Sequence, residues 1–425
     1  MKRSHLKIII SLAMMSFVML VLIPKANATA AFARETGASC KKCHTVNFPR
    51  LNSKGEKFML NGFQMKKKVS DGGFGLDDDI APESGHKSNL PKVGDILSIT
   101  GQFNIAEVDS KNNTPSLGNP EVVSLTATGS LAKNTPIWAG VDFDGDGASL
   151  HRYQLGKTNV ADSKKINFRI GTLDPTTWTS VYGHGATIQS ASSSIGSNGS
   201  GHDANTGFAT VGSGYAERNA FEYYGYTNAL LWSVAVSNES GHGHAGTSYD
   251  KLDYWLTTKY SFMNHSSVSF LWYNANGSTE NQTFTLGSNI RMGGLDLMGQ
   301  FSIDNTGTKD LRDKWGLTAQ ANYAASKDVM TIIRYDSTDN GEKDNSLEVH
   351  LTFALVFKPE ENIKLTASYV AELNSVASQA VDAPAGDGHD DHVHKVSARA
   401  GETTTESSAP TRFGDHFLLN VRYMF

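Results

Sequence analysis

The sequence predicts an all-β protein: an antiparallel transmembrane β-barrel of about sixteen strands behind a short, mainly helical N-terminal segment. Three observations carry this. Apolar and polar residues alternate from about residue 95 onward. Short turns and long polar loops alternate between those stretches. The chain is exported, yet after its leader no run approaches the roughly 18 apolar residues that a membrane helix needs.

Lys2, Arg3 and Lys7 form a basic head, residues 8–23 are apolar, and Ala26-Asn27-Ala28 has the small-x-small form of a cleavage site. Residues 1–28 therefore read as a secretory signal peptide, and any membrane residence has to come from strands. The net charge of −5 gives no footprint for nucleic acid. The mean hydropathy of −0.33 is that of a soluble chain, but a barrel gives the same average because only every second strand residue is apolar. The two cysteines cannot build a disulfide framework.

The strands follow from period-two patterning. Segment 121–131 puts Val123, Leu125, Ala127, Gly129 and Leu131 on one face and Ser124, Thr126, Thr128 and Ser130 on the other. In 347–357, Leu347, Val349, Leu351, Phe353, Leu355 and Phe357 oppose Glu348, His350 and Thr352. In 363–372, Ile363, Leu365, Ala367 and Tyr369 oppose Lys364, Thr366, Ser368 and Glu372. Such stretches recur near 95–107, 121–131, 136–143, 149–156, 165–172, 216–226, 230–237 and 250–262. They continue at 267–273, 283–291, 294–303, 314–324, 329–336, 346–357, 362–373 and 415–425, with 149–156 and 216–226 the faintest.

Short turns at 132–135, 227–229, 263–266, 292–293, 325–328 and 358–361 alternate with longer loops at 108–120, 173–215, 238–249, 274–282, 304–313, 337–345 and 374–414. In an outer-membrane barrel the short turns are periplasmic. The last strand ends on Phe425, a terminal aromatic that suits outer-membrane assembly. A soluble β-sandwich would also alternate but leaves the loop rhythm unexplained, and a β-helix needs a fixed short repeat that the sequence lacks. Three regions follow: signal peptide 1–28, N-terminal segment 29–91 and barrel 92–425.

Cys40 and Cys43, the only cysteines, stand three apart with His44 directly after them. C-x-x-C-H in an exported chain is the attachment motif for haem c. Two thiols on one turn add to both vinyl groups of a porphyrin, and the adjacent imidazole supplies the proximal nitrogen. A thioredoxin-like pair would need a βαβ setting and zinc would need more ligands; neither is present. A structural disulfide is the remaining alternative.

Around this motif residues 32–63 read FARETGASCKKCHTVNFPRLNSKGEKFMLNGF. The segment resembles the haem region of the fused monohaem cytochrome c–porins of the bacterial outer membrane, the family of iron-oxidising outer-membrane cytochromes. The resemblance rests on Phe32-Ala33-Arg34, Cys40, Cys43 and His44, Pro49, Leu51, Gly55, Phe58 and Gly62; Phe63 stands where many relatives have Tyr. It implies one covalent haem c ahead of a barrel of about sixteen strands in the outer membrane. Three candidates for the sixth iron ligand lie downstream: Met59, Met65 and His86. Met59 is preferred among them, although packing against the porphyrin or the barrel wall is the plainer reading of any one methionine. The segment is short for burying a porphyrin unaided, so the barrel is expected to complete the pocket, with the segment plugging the lumen from the periplasmic side.

His389, His392 and His394 cluster with Asp387, Asp390 and Asp391 in one polar loop, and His242 and His244 lie in another. Imidazole beside carboxylate is a ligand set for first-row metals; a hydrophilic loop tip is the plainer reading. The DFDGDG run at 142–147 lacks the later Glu of a calcium loop and reads as a turn. Lys251, Asp253, Lys259, Glu348 and His350 should face the lumen, and Trp232, Tyr254, Tyr260, Trp272 and Tyr423 should form interfacial girdles.

The expected function is an outer-membrane electron conduit. It would oxidise extracellular Fe(II) or another redox-active metal and pass electrons to a periplasmic electron-transfer cytochrome. The alternatives are the same path run outward and a porin with a haem-bearing plug, so enzymatic status stays open.

Overall fold

The computed structural model describes residues 31–36, 38–46, 50–63, 97–109, 115–117, 120–144, 147–181, 218–238, 252–262, 266–276, 281–305, 314–339, 347–360, 363–374 and 416–424. The expected signal peptide, Pro49, Met65, His86, Lys251, both histidine loops and Phe425 lie outside them.

Alternation becomes a single hydrogen-bonded ladder. Its strands are β1 (Leu97–Asp109), β2 (Pro115–Leu117), β3 (Pro120–Ala132), β4 (Thr135–Asp144), β5 (Gly147–Lys157) and β6 (Asn167–Leu173). They continue as β7 (Arg218–Tyr226), β8 (Leu230–Asn238), β9 (Leu252–Ser261), β10 (Ser267–Ala275), β11 (Asn281–Met292) and β12 (Leu295–Asn305). The last are β13 (Lys314–Ala324), β14 (Val329–Asp339), β15 (Leu347–Glu360), β16 (Ile363–Asn374) and β17 (His416–Met424).

Each strand from β3 to β17 pairs antiparallel with the next. β1 pairs with β3 on one side and with β17 on the other, where Thr100 lies opposite Met424 and Asp109 opposite His416. The sixteen long strands therefore close into a cylinder without a free edge, and the faint stretches at 149–156 and 216–226 are strands of that ring. The loop expected at 108–120 differs: it carries β2, which folds back onto Ala106–Val108 of β1. Three residues are too few for alternation to reveal a strand, and Pro115, its first residue, sits where a strand tolerates proline.

The faces are the inverse of a soluble protein's. On β9, Leu252, Tyr254 and Tyr260 are exposed on the outside, while Asp253, Trp255, Thr257 and Lys259 are buried inside. Leu286, Val234, Ile333, Phe353 and Leu355 likewise face outward, and Thr285, Thr318, Gln320, Asn322 and Thr352 inward. An apolar exterior around a polar lumen, with closed backbone pairing, is stable only where the surroundings are hydrocarbon. A β-sandwich would bury the apolar set instead.

Tight turns suit the short connections. Asn134 takes φ 61 between β3 and β4 and Gly293 takes φ 56 between β11 and β12, left-handed conformations of hairpin loops. The run at 142–147 is also a tight connection, since β4 ends at Asp144 and β5 starts at Gly147.

The loop after β6, expected outside, starts inward. Asp174 accepts from Thr176 N at 2.7 Å and caps a 3-10 turn at Pro175–Trp178. The wall then holds the segment: Thr257 Oγ1 donates to Pro175 O at 3.4 Å, Ser180 N to Ser269 Oγ at 2.8 Å, and Ser267 Oγ to Ser180 Oγ at 2.9 Å. Trp178 donates its Nε1–H to Glu222 Oε2 at 3.0 Å and lies under the Arg169 guanidinium at 4.6 Å. Arg169 pairs with Glu222. Burial of Trp178 and Val181 offsets the ordering of this stretch.

Candidate haem-attachment site

The C-x-x-C-H run forms one closed turn. Cys40–Lys42 is a 3-10 turn; Cys43 N donates to Cys40 O at 3.2 Å and His44 N to the same oxygen at 2.9 Å. The chain then reverses. His44 bridges to Leu51, Thr45 N donates to Arg50 O and Asn52 N to Cys43 O, both at 2.9 Å. Asn52 joins the turn to the next helix, Ser53–Leu60. Its Oδ1 caps that helix by accepting from Lys54 N and Gly55 N at 2.9 and 3.1 Å, and its Nδ2 donates to Lys42 O at 3.0 Å.

The helix packs directly on the turn because residue 55 is glycine: a Cβ there would stand 2.2 Å from Cys43 O and 2.8 Å from Leu51 Cδ2. Its end is a Schellman cap. Gly62 takes φ 69, its N–H reaches Met59 O, and Phe63 N–H reaches Phe58 O, each at 3.0 Å. Gly62 also abuts the wall, since a Cβ would lie 2.7 Å from Thr158 Oγ1. Phe32, Phe58 and Phe63 form an aromatic triad with centroids 4.9 to 5.9 Å apart. Phe32, Gly55, Phe58 and Gly62, singled out by resemblance, thus each have a packing role.

The segment sits in the short-turn end of the lumen. Buried Arg50 forms an ion pair with Asp296, with a second contact from Nη2 to Oδ1 at 3.1 Å, and its Nη1 lies 2.7 Å from Met298 Sδ. Glu56 lies 3.6 Å from both Lys259 and Arg291, and Arg291 Nη2 donates to Leu51 O at 3.4 Å. Lys41 pairs with Asp328 at 3.0 Å, and Asn159 Nδ2 donates to Asn61 Oδ1 at 3.0 Å. Val46 packs on Met330, Ile332, Ala354 and Val356. Met59 and Leu60 pack on Trp178, Tyr224 and Leu231, so the inward-folded loop meets the helix inside the cylinder. These partners run from the β5–β6 connection to β15 and lie close to the short turns.

Burial pulls Arg50 down to about 10, with Asp296 opposing that shift, so the guanidinium stays cationic at neutral pH. Burial also pushes the Cys43 thiol up, against the pull of Lys54. A redox-active C-x-x-C thiol is shifted the other way, and no disulfide joins the two cysteines. Two half-buried thiols and an imidazole on one turn are a donor set that fits a c-type haem; Cys40 and Cys43 would hold its vinyl carbons and His44 its iron.

Asp253, Lys259 and His350 are buried on the inner face as expected. Tyr254 and Tyr260 are exposed on the outer face, and Trp232 and Trp272 are half-buried. Among the described residues no group of three or more His, Cys, Asp or Glu is placed to hold a metal ion; His389, His392 and His394 lie outside those residues. Arg50, Glu56, Arg291 and Asp296, which fasten the segment, carry no motif. Their sequence trace is limited: Arg291 and Asp296 flank the Gly293-Gly294 turn on the polar face.

A closed antiparallel cylinder of sixteen strands, apolar outside and polar within, belongs to the class of bacterial outer-membrane β-barrels. Among solved structures, OmpF of Salmonella typhi, in complex with daunomycin, matches 77% of this chain and 97% of its own at 9% identity, with a TM-score of 0.50. The anion-selective porin from Comamonas acidovorans matches 77% of this chain and 99% of its own at 13% identity, with a TM-score of 0.49. At such identities the likeness concerns the fold, a porin-type barrel. No protein-family model and no curated protein matches the sequence.

Proposed function

We propose that the protein is an outer-membrane electron conduit with one covalent haem c, attached through Cys40 and Cys43, with His44 as proximal ligand and Met59 as the candidate distal one. It takes electrons from extracellular Fe(II) and delivers them to a periplasmic electron-transfer cytochrome. The observation that carries this reading is the position of the C-x-x-C-H turn: it is fastened within the short-turn mouth of a membrane cylinder by Arg50–Asp296, Lys41–Asp328 and the Glu56 cluster. A haem bound there supplies one-electron chemistry. The chain contributes position and shielding: the turn sets the thiols and imidazole together, and the wall restrains the segment at the periplasmic end of a path through the bilayer.

The test uses protein purified in detergent from its native cells. Alkaline pyridine should give a haem c spectrum, and anaerobic Fe(II) should promptly shift the Soret band and bring up the α band of the reduced haem. Colourless protein overturns the reading. Failure of Fe(II) to reduce it, with rapid oxidation of the reduced protein by external acceptors, reverses the direction of flow. The porin-type fold favours a second reading, a solute channel with a haem-bearing plug. Substantial conductance in planar bilayers, unchanged by haem reduction, would establish that one instead.

A further inference from the structure

Among the described residues, the short-turn end carries more positive charge than its own ion pairs neutralise, in a chain of net charge −5. On the N-terminal segment, Lys41, Lys42 and Lys57 are exposed and Lys54 is half-buried. Lys54 and Lys57 lie three apart on one helix face, whereas Gly55 and Phe58 turn the other face inward. Around them on the rim, Lys133, Lys157, Lys164, Lys165 and Lys327 are exposed. The nearby carboxylates are mostly engaged. Glu56 faces Lys259 and Arg291, Asp328 binds Lys41, and Asp162 lies 3.8 Å from Lys133. Glu360 is the other exposed carboxylate on the described short turns.

We infer that this lysine-rich mouth is the docking surface for an acidic soluble protein, centred on the Cys40–His44 turn. Two features favour a protein over lipid. Lys41, Lys42, Lys54 and Lys57 belong to a segment enclosed by the ring of strands, beyond the reach of headgroups outside the wall. Lys42 and Lys54 also flank Cys43, so a partner held by them stands over the attachment turn. The inference rests on the proposed conduit for what the partner does, namely accept electrons; the charge pattern itself stands apart from it. Exposed charges of one sign act chiefly on encounter rate and register, over a Debye length of about 8 Å at physiological salt. The complex should be weak, fast and salt-sensitive.

The probe is a strongly acidic soluble cytochrome c, with a strongly basic one as control, against the full-length protein in neutral detergent. Binding to the acidic probe should weaken steadily with salt, and the basic probe should not bind. The double variant Lys42→Glu/Lys57→Glu, which touches no docking contact of the segment, should weaken binding by about tenfold and flatten the salt dependence. Equal binding by that variant, or salt-independent binding by the wild-type protein, overturns the inference. So does a result in which the acidic probe is ignored while Lys164→Glu/Lys165→Glu reduces association with phosphatidylglycerol vesicles, which would make the lysines a lipid anchor. Because the binding readout needs no haem in this protein, colourless protein that still binds the acidic probe sinks the conduit and leaves the docking surface. Pigmented, Fe(II)-reducible protein that does not bind it does the reverse.

Discussion

Arg50 and Asp296 offer the sharpest test of how the segment is held. Arg50 is 4% exposed, and its guanidinium meets Asp296 and Met298 Sδ. Breaking a buried ion pair from one side costs about 3–5 kcal/mol, because it strands a charge. The two sides are unequal here. Arg50→Leu leaves Asp296 beside the Asn289 amide and near Arg291 at 3.9 Å, so about 2 kcal/mol is expected. Asp296→Asn leaves Arg50 in contact with a neutral amide and a thioether, with the Glu56 charge farther off, so about 3–4 kcal/mol is expected. The double variant Arg50→Leu/Asp296→Asn should cost less than the sum of the two single variants, with a coupling above about 1 kcal/mol. Burial lowers Arg50 from its ordinary value to about 10. The released segment therefore binds more protons than the docked one only between those two values, and the Arg50 contribution should be flat from about pH 6 to 9. The assay is limited chymotryptic cleavage of the segment at Phe58 and Phe63, both buried when it is docked, in detergent and under conditions where cleavage tracks the open population. At 1.4 kcal/mol per factor of ten, Arg50→Leu should speed cleavage about 30-fold and Asp296→Asn by more. Equal rates in all three variants, or strict additivity, would refute the latch.

Other expectations concern the rest of the molecule. Gly55→Ala gains up to about 1 kcal/mol of helix propensity but drives a methyl group into Cys43 O. A net loss of about 1–2 kcal/mol in docking should show as faster cleavage of the segment. Leu286→Arg, on the outer face near the middle of β11, should cost about 2–4 kcal/mol of folding stability in lipid vesicles, read by the band shift between folded and unfolded protein in gels. A chain lacking residues 29–91 should show larger single-channel conductance than the full-length protein; equal conductance would show that the segment does not obstruct the lumen.

Most of the barrel is legible in the sequence because a closed sheet in lipid has one rule for each face. Leu347 to Phe357 can be assigned from alternation alone, and loop lengths then fix which end is which. β2 is illegible because three residues carry no period, and the inward course of 174–181 is illegible because it depends on partners such as Ser269 and Glu222 far along the chain. At the candidate site, spacing singles out Cys40, Cys43 and His44, and the fold brings them onto one turn. The clamp is invisible for a physical reason: Asp253, Asp296 and Asp304 all read as lumen carboxylates, and only the fold decides that Asp296 meets Arg50.

Those grips have a consequence for biogenesis. Arg50 waits 246 residues for Asp296, and Lys41 waits 287 for Asp328. While the polypeptide crosses the periplasm none of these anchors yet exists, so the cysteine turn travels untethered and open to any enzyme that must modify it. Insertion then gathers the wall around the segment, so attachment of the proposed haem would have to precede it, in the order that the chain itself sets.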